Sequence, residues 1–292
     1  MSRLFSESEH LIKIETLSVF VREFYPLSTQ QGTLVFFHGR LSNSGCWDAV
    51  VERLAPHFRC VLVEFPGFGK STLSEARPYS LVELAIFAGN LIERLSPSGE
   101  RVILVGHDTG GAIAQLCGIR QPDRISGLVL MNSTCLGERV ESFSTGLRGF
   151  SVRRRLKSLS RSTEATIGLA ADALREAWGC TNCRRVLVKS LRAIEGSVPG
   201  TRERRIWKQE LAHLTQPVLI LWGKKDDLNS PFNGFELMRC VAQAYYFENE
   251  ACGHWPFLDE PGWIADKMRE FIFRITTARG EPISRARKSL SR

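Results

Sequence analysis

The sequence predicts an α/β protein: a mainly parallel sheet with helices on both faces and one helical segment inserted. Three observations carry this. Short apolar, β-branched runs alternate with helical patterns along most of the 292 residues, the signature of βαβ units. One such run, Val102 to Val105, leads through a glycine-rich turn directly into a helical pattern. The alternation stops between Gly137 and His213, where apolar residues such as Leu147, Leu159, Leu174 and Leu191 keep helical spacings among many arginines.

Taken in order, the expected strands are Ile12 to Arg22, Thr33 to Phe37, Cys60 to Glu64, Val102 to Val105, Ser126 to Met131, Val218 to Trp222 and Ala244 to Phe247. Helices are expected over Trp47 to Leu54, Leu81 to Leu95, Ala112 to Arg120 and Phe232 to Val241. Another, Gly262 to Phe273, follows Pro261, a residue suited to a helix start. Pro66 to Gly69 reads Pro-Gly-Phe-Gly, a turn. Residues 1–136 and 214–275 then form one core, 137–213 is an insertion over one edge of the sheet, and 276–292 is a basic tail. The last residues, Ser284 to Arg292, offer little to bury and are expected to be disordered.

At 43% hydrophobic and 24% charged, the composition is that of an ordinary globular protein, long enough for a sizeable core. No apolar run approaches the roughly 18 residues of a membrane-spanning helix. Met1 to His10 carries Glu7, Glu9 and His10 without an apolar stretch, so a secretory leader is not expected. The eight cysteines sit singly apart from Cys180 and Cys183, which suits reduced thiols and a cytoplasmic location. Cys180-Thr-Asn-Cys183 lacks the second ligand pair of a zinc site, so no metal is expected.

The formal charge of +8 is uneven. Gly137 to His213 holds sixteen Lys and Arg against eight Asp and Glu, and Thr276 to Arg292 holds five basic residues against Glu281 alone. The basic run Arg153 to Lys157 reads as a solvated face, with an anionic substrate or weak contact with an acidic membrane surface as the sharper alternatives. No aromatic interleaving or nucleic-acid module accompanies it, so nucleic acid is not an expected partner.

The chemistry is concentrated in three places. Val102 to Gly111 reads V-I-L-V-G-H-D-T-G-G, a strand, a G-x-D-x-G turn and a helix start. This is the turn that carries a nucleophile at its strained centre, here Asp108 in place of the more usual serine. After Val218 to Trp222 comes G-K-K-D-D, offering Asp226, with Asp227 adjacent. A-C-G-H-W-P then sets His254 on a glycine-flanked loop. Upstream, F-F-H-G-R lets the backbone N–H of Arg40 join that of Thr109 as an oxyanion hole.

Nucleophile, acid and histidine in that chain order resemble the α/β-hydrolase superfamily. The G-H-D-T-G turn is similar to that of its epoxide hydrolases and haloalkane and haloacid dehalogenases. The resemblance covers all but the tail. It implies the α/β-hydrolase fold, with about eight strands, a cap or lid at 137–213 and no cofactor. It also implies two chemical steps: Asp108 attacks an sp³ carbon to form an alkyl-enzyme ester, and His254, oriented by Asp226, activates water to hydrolyse it.

A carboxylate is already ionised at neutral pH and needs no base to act as a nucleophile, which leaves His254 free for the water. Two signatures of the resembled enzymes are absent. None of the four tyrosines (Tyr25, Tyr79, Tyr245, Tyr246) lies in 137–213, and the residue after Asp108 is Thr109 rather than tryptophan. Trp178 and Trp207, with indole N–H donors, and His107, beside Asp108, are the candidates for contact with a small-molecule substrate. Alternation in extended chain turns His107 away from the side of Asp108. Two rival readings stand beside the alkyl-enzyme route. One is hydrolysis of an ester, lactone or carbon–carbon bond with Asp108 directing water; the other is a ligand-binding protein without catalysis.

Overall fold

Apolar residues at successive positions of a strand point to opposite faces, so runs such as Leu34-Val35-Phe36-Phe37 must be covered by helices on both sides. The computed structural model describes residues 3–40, 42–71, 79–133 and 201–277, the side chains of 201–204 excepted. Eight strands form one sheet: β1 (Phe5–Ile14), β2 (Leu17–Pro26), β3 (Thr33–Phe37), β4 (Arg59–Val63), β5 (Val102–His107), β6 (Ile125–Met131), β7 (Val218–Gly223) and β8 (Ala244–Asn249). Their spatial order is β1-β2-β4-β3-β5-β6-β7-β8. Pairing is antiparallel from β1 to β2 to β4 and parallel from there to β8.

Seven α-helices are described: α1 (Asp48–Leu54), α2 (Leu81–Leu95), α3 (Thr109–Arg120), α4 (Thr201–Ala212), α5 (Pro231–Cys240), α6 (Pro256–Asp259) and α7 (Pro261–Thr277). Val35, Phe37, Val61, Leu104, Leu130 and Ile220 face a core shared with α2, α3, α4 and α5. Their chain neighbours Leu34, Phe36, Leu62, Val105, Val129 and Leu221 face a second core under α1 and α7. The sheet is thus the middle of three layers, as expected. Helix starts follow their local chemistry: Ser80 and Glu83 form a reciprocal capping box on α2, and Pro231 opens α5.

Two expectations need correction. Ile12 to Arg22, read as one strand, is a hairpin whose turn at Glu15 and Thr16 puts Glu15 at φ 53°. A Glu-Thr turn carries no Gly, Asn or Pro signal, and only a one-residue shift in the alternation, from Ile12 and Ile14 to Leu17 and Val19, marks it. The third helix begins at Thr109 rather than Ala112, because the glycines that weaken helix propensity are there to let the helix pass close to the sheet. Of the expected insertion, 137–200 lies outside the described residues. Of its remaining thirteen residues, Thr201–Ala212 form α4, whose Trp207 and Leu211 are buried in the α2–α3 core. Among the described residues no helix is long and apolar enough to cross a membrane.

Candidate active site

The carboxyl ends of β3, β5, β6, β7 and β8 converge on one edge of the sheet, and the sequence-expected residues meet there. Asp108 joins β5 to α3 with φ 49° and ψ −117°, a conformation that a non-glycine residue holds only when its surroundings enforce it. The enforcement is visible: its N–H donates to the Met131 carbonyl at 3.2 Å and its carbonyl accepts from Ala112 N–H at 3.3 Å. Close approach of α3 does the rest, since a Cβ on Gly110 would lie 2.2 Å from the Phe37 carbonyl oxygen.

The Asp108 carboxylate is fully buried and meets Arg40 three times. Its Oδ2 accepts the Arg40 backbone N–H at 3.2 Å and Nε–H at 3.1 Å, while Oδ1 accepts Nη2–H at 3.1 Å. The first contact puts Oδ2 where the expected oxyanion hole lies. The other two are a bidentate fork, the strongest form of Arg–carboxylate pair. Sequence reasoning assigned Arg40 only its backbone amide; the guanidinium is the addition, and its Nη1 has no hydrogen-bond partner among the described residues. Thr109, the other expected contributor, is buried as the first residue of α3, where an amide has no partner inside the helix.

His254 lies on the loop after β8, with its Nδ1 2.9 Å from Asp226 Oδ2 and both side chains buried. Asp226, rather than Asp227, makes this bond. Its other oxygen accepts the N–H groups of Leu228 at 2.8 Å and Asn229 at 2.9 Å, so the carboxylate cannot rotate freely. Asn132 completes the arrangement, and sequence reasoning missed it. At φ 43° after β6, its Nδ2 donates to Asp226 Oδ2 at 2.5 Å and to the Gly253 carbonyl at 3.3 Å, and its Oδ1 accepts Gly223 N–H at 3.3 Å. An Asn directly after an apolar strand, in a position that tolerates left-handed backbone, was the available signal.

Two more histidines frame the site. His38 is buried, its Nδ1 2.8 Å from the Gly39 carbonyl and its Nε2 accepting Phe65 N–H at 3.2 Å. Burial lowers its pKa from the usual histidine value. His107 sits 2.7 Å from the His254 carbonyl through Nε2, with its ring edge-on to that of His254. Burial, then the neighbouring His254, brings its pKa down to about 3. Cys252, beside the His254 loop, has its thiol pushed up to about 12 by burial, which suits an apolar filler.

Of the other expected substrate contacts, Trp207 is buried in the core beneath α4 with its Nε1 unpartnered. Trp178 lies outside the described residues, as do Arg153 to Lys157, Cys180 and Cys183. Among the described residues no cluster of His, Cys, Asp and Glu is disposed to hold a metal ion.

Comparison with known proteins agrees with this geometry. Residues 34–267 match the alpha/beta hydrolase family. The pimeloyl-[acyl-carrier protein] methyl ester esterase of Nitrosomonas europaea is 27% identical over 238 residues, covering 78% of this chain and 90% of that protein. The enzyme of the same name from Vibrio vulnificus is 27% identical over 252 residues, 82% of this chain and 93% of its own. Among solved structures, the 2-hydroxy-6-oxo-6-phenylhexa-2,4-dienoate hydrolase of a Rhodococcus superposes with a TM-score of 0.77 at 20% identity, covering 94% of this chain and all of that one. A strand–Asp108–helix turn, an Asp226–His254 pair and the sheet order that brings them together agree with the match over residues 34–267, and the chain belongs to the alpha/beta hydrolase family.

Proposed function

We propose that this chain is a cofactor-independent hydrolase whose nucleophile is Asp108, acting on an epoxide or a halogenated carbon through an alkyl-enzyme ester. The observation that carries the reading is the seat of the Asp108 carboxylate: at the strained turn, with Oδ2 on the Arg40 backbone N–H. An ester formed through Oδ1 keeps Oδ2 as its carbonyl oxygen, already beside the amide that will hold the oxyanion. Oδ1 leaves Arg40 Nη2 and forms a bond to the sp³ carbon, and the leaving group departs with the bonding electrons. His254, its Nδ1–H held by Asp226, then takes a proton from water through Nε2. The hydroxide adds to the Asp108 carbonyl carbon, the bond from that carbon to the alkyl oxygen breaks, and the proton on His254 Nε2 passes to the departing oxygen, releasing the alcohol and restoring the Asp108 carboxylate.

A second reading is favoured by two observations: the fork occupies both carboxylate oxygens, and the relatives are methyl ester esterases by name. In it, the His254–Asp226 pair drives water onto an ester carbonyl and Asp108 stays paired with Arg40. Carboxylate attack on such a carbonyl would give an anhydride, a poor intermediate. Single turnovers in ¹⁸O-water separate the two, with styrene oxide, 1-bromobutane and a p-nitrophenyl ester as probes. Label in the peptide carrying Asp108, and trapping of the alkyl-enzyme in His254→Gln, are the expected results. Label in the product alone, with an unmodified Asp108, refutes the covalent route.

A further inference from the structure

We infer that His107 is a positioning residue, whose Nε2–H holds the backbone of His254 in register with the turn that carries Asp108. The inference rests on the proposed role of His254 as the base of the second step. A carbonyl oxygen only accepts, so the 2.7 Å contact with the His254 carbonyl fixes the tautomer: the proton is on Nε2. The lone pair is then on Nδ1, which is buried and has no hydrogen-bond partner among the described residues. Nothing there competes for the ring, and a pKa near 3 keeps it neutral across the range in which a hydrolase works.

Packing makes the tether specific. The His107 ring stands edge-on to His254 at 4.7 Å between centroids and to Phe257 at 4.8 Å. On another side it meets the oxyanion turn, where a Cβ on Gly39 would come within 2.8 Å of Nδ1. His107 is also the chain neighbour of Asp108. One side chain therefore touches the loop of the base and the turn of the oxyanion hole, and is bonded to the nucleophile's own residue. Asp226 fixes the Nδ1 end of the His254 ring, and His107 fixes its backbone end. The direction of His254 Nε2 follows from the two anchors together.

The proposed reaction offers a discriminating test, because His254 acts in the second step alone. His107→Phe keeps a ring and removes the donor; His107→Gln restores an N–H at a similar reach. In single turnovers with styrene oxide, followed by intact mass, His107→Phe should form the alkyl-enzyme within about twofold of the wild-type rate. It should then hydrolyse the ester about tenfold or more slowly, as small misplacements of reacting groups do, and His107→Gln should recover most of that loss. Nuclear magnetic resonance of the His254 ring gives a readout that needs no turnover. The Nδ1–H signal and the titration of His254 should move in His107→Phe and return toward wild type in His107→Gln. If His107→Phe folds poorly, His107→Asn, too short to reach the carbonyl, takes its place. Equal slowing of both steps with no recovery in His107→Gln overturns the inference, as do unmoved His254 signals. Absence of an alkyl-enzyme even in His254→Gln would instead refute the reaction, and the resonance arm would still decide His107.

Discussion

Arg40 and Asp108 are a buried pair of full charges, with side chains 2% and 0% exposed, and such a pair is maintained only while both members are present. Removing one leaves the other charge buried without compensation, typically about 3–5 kcal/mol. Asp108→Ala should lower stability by that order, since alanine keeps the strained backbone at φ 49° and leaves Arg40 unpaired. Arg40→Leu with Asp108→Ala should be more stable than Asp108→Ala alone, since no unpaired charge is left. Urea unfolding of the two single variants and the double gives the coupling energy; additive losses would show that the pair is energetically incidental. This pair also marks the limit of sequence reading at the residue scale. Asp108, Asp226 and His254 were legible because each follows a strand in a fixed chain order. The Arg40 guanidinium was not, since H-G-R fixes a backbone turn and says nothing of where a long side chain goes.

At the scale of elements, the site depends on strand ends held at fixed separations by backbone contacts. Gly110 lies against β3, and Gly110→Ala would drive a Cβ to 2.2 Å from a backbone oxygen that has no rotamer to escape into. The expected cost is about 3 kcal/mol, seen as a lower urea midpoint; an unchanged midpoint would mean the β3–α3 crossing is looser than this geometry. Asn132 ties β6 to β7 and to the His254 loop. Asn132→Gly keeps the backbone at φ 43° and deletes the amide, so Asp226 loses one charge-assisted hydrogen bond, worth about 1.5–3 kcal/mol. If about half of that is felt as misorientation of His254, kcat falls about 4- to 12-fold with KM little changed, and a KM effect alone would count against the role given to Asn132. Six expected strands were found within a few residues because their apolar runs are bounded by polar or turn-forming residues. The β1–β2 turn was not, because Glu15 and Thr16 carry no turn residue and mark it only by a one-residue shift in the phase of the alternation. Asn132 was missed for a different reason: its place after a strand marks a turn, but its partner Asp226 lies 94 residues away, a proximity that only the folded sheet creates.

The whole molecule carries these local choices into its response to acid. His38 and His107 both have pKa values lowered by burial, His107 to about 3, while each returns to about 6.5 when unfolded. Protonating His38 would cost it the Phe65 N–H that Nε2 accepts, and protonating His107 would put a second cation-forming ring against His254. Between these limits the unfolded chain binds more protons than the folded one, so stability must rise with pH. The contribution is fully present above about pH 6.5 and is lost as pH falls toward the folded values. Within pH 5 to 6.5 ordinary carboxylates stay ionised in both states, which isolates the histidines. His107 contributes a slope approaching about 1.4 kcal/mol per pH unit at the acid end of that window, and His38 adds to it in the same direction. Urea unfolding at half-unit steps should therefore show stability falling as pH drops, and His107→Phe, whatever its absolute stability, should show a clearly shallower slope. Equal slopes in the two proteins would mean that His107 binds its proton as readily in the fold as outside it, and that burial does not hold it neutral.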